Sequence, residues 1–549
     1  MKLSIYIQPY FLFFITIYFF STSFLLAQEL MEEQEELESS VTKLEKTFSV
    51  LEDEYIEDLD FKKATENAIK GLLKELDPHS SYIPAVDYKR MSESLHGNFD
   101  GIGIRFDVLR DTLLILATLD NSPAQKIGLV AGDRILSIDK KDIAGKNLSK
   151  NDISNHLRGK GGSSVRLGIL RKGSKYVYEY NLEREKLPIH SIAAAYMATN
   201  KIGYIKLNKF SATSARELEN ALRKLKAEGM KNLVLDLRNN GGGYLNAAIR
   251  IADQFLKNDA LIVYTEGRKY RKKEYHATVK GHFEKGKLAV LVNENSASAS
   301  EIVAGAVQDW DRGLIIGRRS FGKGLVQKSF ILPDSSYVRL TIAYYYTPSG
   351  RFIQKPYEEG REKYENEIKE RQKNGELTNP QNIDFADSLK YYTLTKKREV
   401  YGGGGIMPDI FVPIDTSHKT TFYKNIIQKN VLNEFIISYL DEYRQDIKRK
   451  YRDFDKFKKH FSVTDKLFDD LVASAEKAGL VCEQEEIKMS KTYIQTQMKA
   501  ILAKYIYANA DYYEIMNSIN ITYQTTIQVL QSYNRKNIEL AVQKRKKQQ

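Results

Sequence analysis

KLAVLVNENSASASEIVAGAVQDW, Lys287 to Trp310, reads as a short apolar strand, a turn of small residues and an apolar helix. Ser298 stands three residues before Glu301, which is the spacing of a capping box at a helix start. RRSFGKGLVQ, Arg318 to Gln327, follows with a lone lysine in a glycine turn. A serine hydroxyl is a weak nucleophile at neutral pH unless a base stands beside it, and a lysine is such a base only where desolvation keeps its amine neutral. The two stretches together therefore ask for a dry pocket.

Outward from this stretch, strands and helices alternate from about Lys201. IGYIKLNKF, NLVLDLR, ALIVYTEG and KLAVLVN read as strands, and TSARELENALRKLKAEG, YLNAAIRIADQFLK and SEIVAGAVQDW as helices. GLIIGR, LVQKSFIL and YVRLTIAYYYT continue as strands. That order predicts an α/β layer of mainly buried strands, with a site where strand ends meet helix starts. LDLRNNGGGYL, Leu235 to Leu245, is one such junction. Its bare glycine backbone suits close approach of N–H groups to a developing oxyanion, and its simpler reading is a turn that starts a helix.

Residues 95–185 read as a small β-rich module. GIGIRFDV and TLLILATL are strand-like, a short helix precedes the Gly132-Asp133 turn, and HLRGKGGSSVRLGILRKGS gives a helix end and a hairpin. The segment resembles a PDZ domain. The resemblance implies that the loop Gly101, Ile102, Gly103 and Ile104 offers N–H groups to a peptide's terminal carboxylate while the peptide adds a strand to the sheet edge.

The ends are different in kind. Residues 1–27 carry Lys2, a long apolar aromatic run and a small residue, Ala27, before Gln28, so export with a cleaved signal is expected, with an uncleaved signal anchor as the alternative. Residues 28–94 are expected to be a helical region. There Leu37, Val41, Leu44, Phe48, Leu51 and Tyr55 form one apolar stripe that needs a partner. His79, in DPHSSY, is read as a turn hydrogen-bonder rather than a metal ligand. Residues 417–549 are expected to be helical, because Gly479 is the only glycine and there is no proline after Pro413. The polar piece 355–400 is read as a partly mobile insertion.

The net charge of +13 comes with acids interspersed among the basic runs, so solvated helix faces are favoured over a nucleic-acid groove. The single cysteine, Cys482, leaves an exported chain without internal disulfides and is assigned no catalytic role.

Among the candidate catalytic residues, Ser296, Ser298 and Ser300 compete on local pattern alone, and Ser298 has the capping box as its structural alternative. Around Lys323, Gly317 to Lys323 fits part of a phosphate-binding loop, but Gly324 stands where a Ser or Thr would hold magnesium, and that reading is rejected. A Ser-His-Asp arrangement is disfavoured because there is no G-x-S-x-G elbow and no histidine between Ser298 and Lys323.

Taken in order, DPHSSY, the PDZ-like segment, LDLRNNGGG, NSASASE, FGKGLVQ, YYTPSGRFIQ and GGGGIMPD resemble the C-terminal processing (tail-specific) serine proteases over about Glu32 to Pro413. The resemblance implies a ClpP/crotonase-like α/β catalytic domain over 186–416, with an inserted PDZ domain and helical N- and C-terminal regions. It implies that Ser298 is the nucleophile, Lys323 the general base and Gln327 the residue that orients the amine. Oxyanion donors are then the N–H groups of Ala299 and of a glycine in the NNGGG turn, with Gly242 chosen over its neighbours. No metal or cofactor is expected. Expected partners are protein substrates with exposed C-terminal tails, a second copy of the chain and an envelope adaptor, with no nucleic acid; the expected location is the bacterial periplasm or envelope. The alternative is a non-catalytic PDZ scaffold binding envelope proteins.

Overall fold

Leu288–Val292 is buried at every position and Asn232–Asp236 at all but the first, which fixes them as inner strands of a sheet covered on both faces. The computed structural model describes residues 9–532 apart from 280 and 384, with side chains described at residue 28 and from residue 31 onward. Two compact units divide the chain, Met1–Leu76 and Asp77–Gln549.

In the first unit the helix Pro9–Glu54 is followed by Phe61–Lys74, whose start is capped by the Asp60 carboxylate accepting from Lys63 N–H at 3.0 Å. On the long helix Leu37, Val41 and Leu44 of the apolar stripe are exposed and Phe48 and Leu51 half-buried, and Tyr55, just past the helix end, is exposed. The export signal expected over residues 1–27 lies outside the residues whose side chains are described.

In the second unit, a six-stranded sheet has the order Ile192–Met197, Ile202–Leu207, Asn232–Asp236, Leu288–Val292, Leu314–Gly317, Ile410–Phe411. The first pair is antiparallel and the rest are parallel. The helices Ser214–Ala227, Leu245–Asp253 and Ala299–Asp309 pack on one face through Leu218, Leu222, Ile251 and Val303. The other face is covered by the last helices, Asn509–Asn517 and Ile521–Ser532, whose Tyr513, Tyr523, Val529 and Leu530 meet Tyr204, Val234 and Leu291.

A second sheet was not legible from strand order. Tyr337–Tyr346 pairs with Leu325–Ile331, with Leu261–Gly267 and with Ser81–Ile83, and Leu261–Gly267 pairs in turn with Tyr270–His276. Ser81–Ile83, expected in the N-terminal helical region, is therefore a strand of the second unit.

The β-rich module is a sheet in the order Ile104–Leu109, Thr112–Thr118, Arg134–Ile138, Ser164–Leu170, Val177–Glu183, with Lys141–Asp142 added to the third strand. Its core holds Leu113, Ile115, Ile135, Leu167 and Ile169. The chain enters and leaves it through one antiparallel pair, Asn98–Gly101 with Glu185–Pro188. Five helices, from Thr421–Gln428 to Gln484–Ile506, form their own core around Phe422, Phe457, Phe468 and Met498. One of them, Val431–Lys450, reaches the β-rich module. Asn433 Nδ2 donates to Asp107 Oδ2 at 2.9 Å, and Ile437 packs on Leu114 and Leu116.

The segment 355–400 carries structure that its polar composition does not announce. Its helix Arg361–Lys373 buries Tyr364 and Arg371, and the Arg371 guanidinium donates to the carbonyls of Ser320 and Phe321 at 2.8 and 3.2 Å. A helix this rich in charge looks solvated from composition. Arg371 is buried because its donors satisfy the carbonyls of the loop that precedes Lys323.

Candidate active site

Three neighbouring parallel strands, Asn232–Asp236, Leu288–Val292 and Leu314–Gly317, release their C-terminal loops side by side. Those loops are RNNGGG, NENSASAS and RRSFGKG, so the topology gathers three motifs that lie far apart in sequence.

The three serines separate at once. Ser296 Oγ donates to the carbonyl of Leu237 at 2.9 Å and Ser300 Oγ to that of Asn240 at 2.8 Å, and both residues are fully buried. Ser298 alone is half-buried, and its hydroxyl makes no hydrogen bond among the described residues. The capping box forms only by its return half, in which Ser298 N–H donates to Glu301 Oε2 at 2.7 Å. The hydroxyl is thus not spent on the helix end.

Ser298 has φ 56° and ψ −112°. With Ser300 N–H donating to the Ala297 carbonyl at 3.1 Å, this is the second position of a tight turn that favours glycine. A serine held there stores roughly 1–3 kcal/mol of backbone strain. Ser298→Gly is accordingly expected to be more stable than Ser298→Ala by about 1 kcal/mol. Thermal melting of the two inactive variants checks this, and a glycine variant no more stable than the alanine variant would remove the strain.

Glu301 ties the serine and lysine loops together. Its fully buried carboxylate accepts from Ser298 N–H (2.7 Å), Lys323 N–H (2.9 Å), Gly322 N–H (2.6 Å) and the Ser320 hydroxyl (2.6 Å). Burial raises its pKa against the pull of those four donors. Tyr345 OH adds a second tie, donating to the carbonyls of both Ser298 (3.1 Å) and Lys323.

The Lys323 amine donates to Gln327 Oε1 at 2.8 Å, and Gln327 Nε2 donates to the His79 carbonyl at 2.7 Å. Burial, reinforced by the Arg339 guanidinium, lowers the Lys323 pKa to about 8. His79 is held in turn by its N–H on Asp77 Oδ1 (2.8 Å) and by its ring nitrogen against Tyr364 OH (2.6 Å), and burial keeps the ring neutral by lowering its pKa to about 3. Sequence reading placed His79 in a turn and missed that the turn supports the lysine's partner.

Ser298, Lys323, Gln327, Ala299 and Gly242 all line one cavity of about 620 Å³, with Leu245, Ile302, Leu325 and Val326 as apolar wall. No hydrogen bond joins Ser298 Oγ to Lys323 Nζ. Ala299 N–H opens the helix Ala299–Asp309 and has no acceptor among the described residues. Gly242, the chosen oxyanion donor, has its N–H on Asn240 Oδ1 at 2.9 Å. Gly242 is also required for space. At φ 101°, a Cβ there would lie 2.9 Å from the Ala297 carbonyl oxygen and 3.0 Å from Ser298 Cβ. Asn240, also missed, links the turns by accepting from Ala297 N–H at 3.0 Å.

The second sequence-derived site lies in the β-rich module. Ile102 and Gly103 use their carbonyls, accepting from Ala124 N–H (2.9 Å) and Leu119 N–H (2.8 Å), while their own N–H groups donate to nothing among the described residues. Gly103 has φ 81°, and a Cβ there would fall 2.1 Å from Ser122 Cβ. Gly101 pairs with Glu185 and Ile104 with Thr118, and Ile104–Leu109 is the sheet's edge strand.

Residues 201–360 match peptidase family S41, 115–171 a PDZ domain, 17–86 the N-terminal domain of the activating protease CtpB, and 422–508 a family of unknown function. The chain is 39% identical over 312 residues to a carboxy-terminal-processing protease of Bartonella bacilliformis, covering 56% of this chain and 71% of that one. It is 35% identical over 323 residues to the carboxy-terminal processing protease CtpB of Bacillus subtilis, covering 58% and 67%. A solved photosystem II D1 C-terminal processing protease is 26% identical, covers 68% of this chain and 86% of that chain, and has a TM-score of 0.35. The chain belongs to peptidase family S41, the carboxy-terminal-processing serine proteases, and carries a PDZ domain.

Proposed function

We propose that the protein is an exported serine endopeptidase whose PDZ domain captures the C-terminal tail of a protein substrate for hydrolysis by a Ser298–Lys323 dyad. The observation that carries this reading is that Ser298, the one uncommitted serine of the three, shares a cavity with a lysine whose burial favours the neutral amine. Ser298 Oγ attacks the peptide carbonyl and gives its proton to Lys323; the ammonium then protonates the leaving amine, and water repeats the cycle on the acyl-enzyme. Because the two side chains share one cavity without a bond between them, a rotation of the lysine side chain from Gln327 toward Ser298 completes the pair.

Ala299 N–H, at the positive end of a buried helix, is the oxyanion donor this reading favours. Gly242 contributes by its absence of a side chain, and serves as a donor only if its N–H leaves Asn240. In the PDZ domain, the N–H groups around Ile102 and Gly103 are the proposed carboxylate nest, and the edge strand Ile104–Leu109 the proposed template for an extended tail. Export places the enzyme in the periplasm or envelope; N-terminal sequencing of the secreted protein tests signal removal.

Incubating a tailed protein and its C-terminally amidated form with the enzyme tests tail capture. Faster cleavage of the free-carboxylate form is expected, and equal rates would remove the PDZ step.

A pH prediction follows from Lys323. Only the neutral amine is a base, so kcat/KM is expected to rise with pH to a plateau above about 8, falling about tenfold per pH unit below it. Gln327→Glu puts a carboxylate beside the amine and stabilises the ammonium, so the acid limb is expected to move about one to two units higher. An unmoved limb in that variant would detach Lys323 from the profile.

A further inference from the structure

The cavity that holds Ser298 carries charge of one sign. Lys209, Lys323, Lys328 and Arg339 line it, and no acidic side chain does. None of the four forms an ion pair among the described residues. Lys209 donates to a neutral hydroxyl, Ser94 Oγ, at 2.6 Å. Arg339 places one terminal nitrogen 3.2 Å from Ser81 Oγ and the other 3.9 Å from Met91 Sδ. Lys328 is exposed, its amine 5.2 Å from the Phe330 ring centroid.

Two carboxylates stand behind the wall and offset part of this charge: Asp77 acts against burial at both Lys323 and Arg339, and Glu301 at Lys323. Asp77 accepts from His79 N–H, Ser80 N–H and the hydroxyls of Ser80 and Thr341, and Glu301 accepts from its own four donors. Neither lines the cavity. With the dyad lysine neutral for catalysis, Lys209, Lys328 and Arg339 still line a cleft whose wall holds no acidic side chain. Same-sign charge around a low-dielectric cleft concentrates ligands of the opposite sign and rejects those of the same sign.

We propose that the cleft selects substrate segments bearing an aspartate or glutamate close to the scissile bond, with Arg339 as the principal carboxylate partner and Lys209 and Lys328 as the surrounding field. This deepens, and rests on, the Ser298–Lys323 reading. It divides recognition in two: the PDZ domain reads the end of the tail, and the cleft reads the charge of the stretch being cut. An arginine suits the first role because its planar fork meets both carboxylate oxygens.

The test uses the full-length protein and a peptide series in which Glu, Gln or Lys is placed in turn at each position flanking the cleaved bond. All peptides are C-terminally amidated, so the PDZ nest takes no part. Turnover is measured with wild type, and binding is measured by anisotropy of the fluorescein-labelled peptides with Ser298→Ala. At one or more positions the Glu peptide is expected to exceed its Gln counterpart by about tenfold in kcat/KM and in affinity, with Lys weakest, and the advantage is expected to shrink as salt is raised. Arg339→Gln is expected to abolish the Glu-over-Gln ratio, and Arg339→Glu to turn it toward Lys. Equal binding of Glu and Gln peptides at every position would overturn the proposal. Charge-selective binding without turnover would instead leave the proposal standing and sink the dyad reading, so the two failures are distinguishable.

Discussion

Lys323→Ala is expected to lower kcat/KM by roughly 10⁴-fold or more while leaving the fold intact. The side chain contributes one hydrogen bond, to Gln327, whereas the elements that place it are held by backbone contacts: Lys323 N–H on Glu301 and its carbonyl on Tyr345. Truncation therefore removes a base without removing a strut. Ser298 would keep its strained turn and its place beside Ala299 N–H, so the residual rate measures what oxyanion stabilisation and binding supply without a base. A Lys323→Ala protein within tenfold of wild type at pH 8 would assign the proton to another group.

Glu301→Ala is expected to lose both stability and activity. Three backbone N–H groups and the Ser320 hydroxyl would lose their acceptor inside a fully buried pocket, at about 1–3 kcal/mol for each donor left unsatisfied and about 3–5 kcal/mol in all once the loops relax. Because two of those donors belong to Ser298 and Lys323, the same change loosens both ends of the dyad. Glu301 touches no substrate in this scheme; it is a positioning residue. Glu301→Gln keeps the volume but presents an amide NH₂ to donors, so it should recover part of the melting temperature and little of the rate. Wild-type melting and turnover in Glu301→Ala would mean that the loops hold themselves.

What could be read from the sequence follows the range of the interactions involved. The junctions LDLRNNGGG and NENSASAS, and the turn at FGKG, are local events in which strand, turn and helix signals sit next to each other, and their meeting at one sheet edge follows from strand order. Choosing among Ser296, Ser298 and Ser300 is different, because the three share a local pattern and differ only in whether Leu237 or Asn240, on another strand's loop, takes the hydroxyl. His79 and Tyr364 are separated by 285 residues, and no local pattern links them. The polar strand Tyr270–His276, RKKEYH after its tyrosine, lacks apolar alternation because it is an edge strand exposed along most of its length, and the second sheet was hidden with it. Charge misled in the helix Arg361–Lys373, where Arg371 is 3% exposed and pairs inward. That Asn240 Oδ1 turns back onto the Gly242 N–H was equally hidden, because the string NNGGG does not say which side chain meets the backbone.

The most direct measurement is covalent labelling by a serine-directed acylating probe, read by intact mass and peptide mapping as pH is raised through 8. The expected result is a single adduct on Ser298 in folded wild type, with a rate that follows deprotonation of one group near that pH, and no adduct in Lys323→Ala. Labelling of Ser298 at an undiminished rate in Lys323→Ala, or an adduct on a different residue, would contradict a lysine-activated serine.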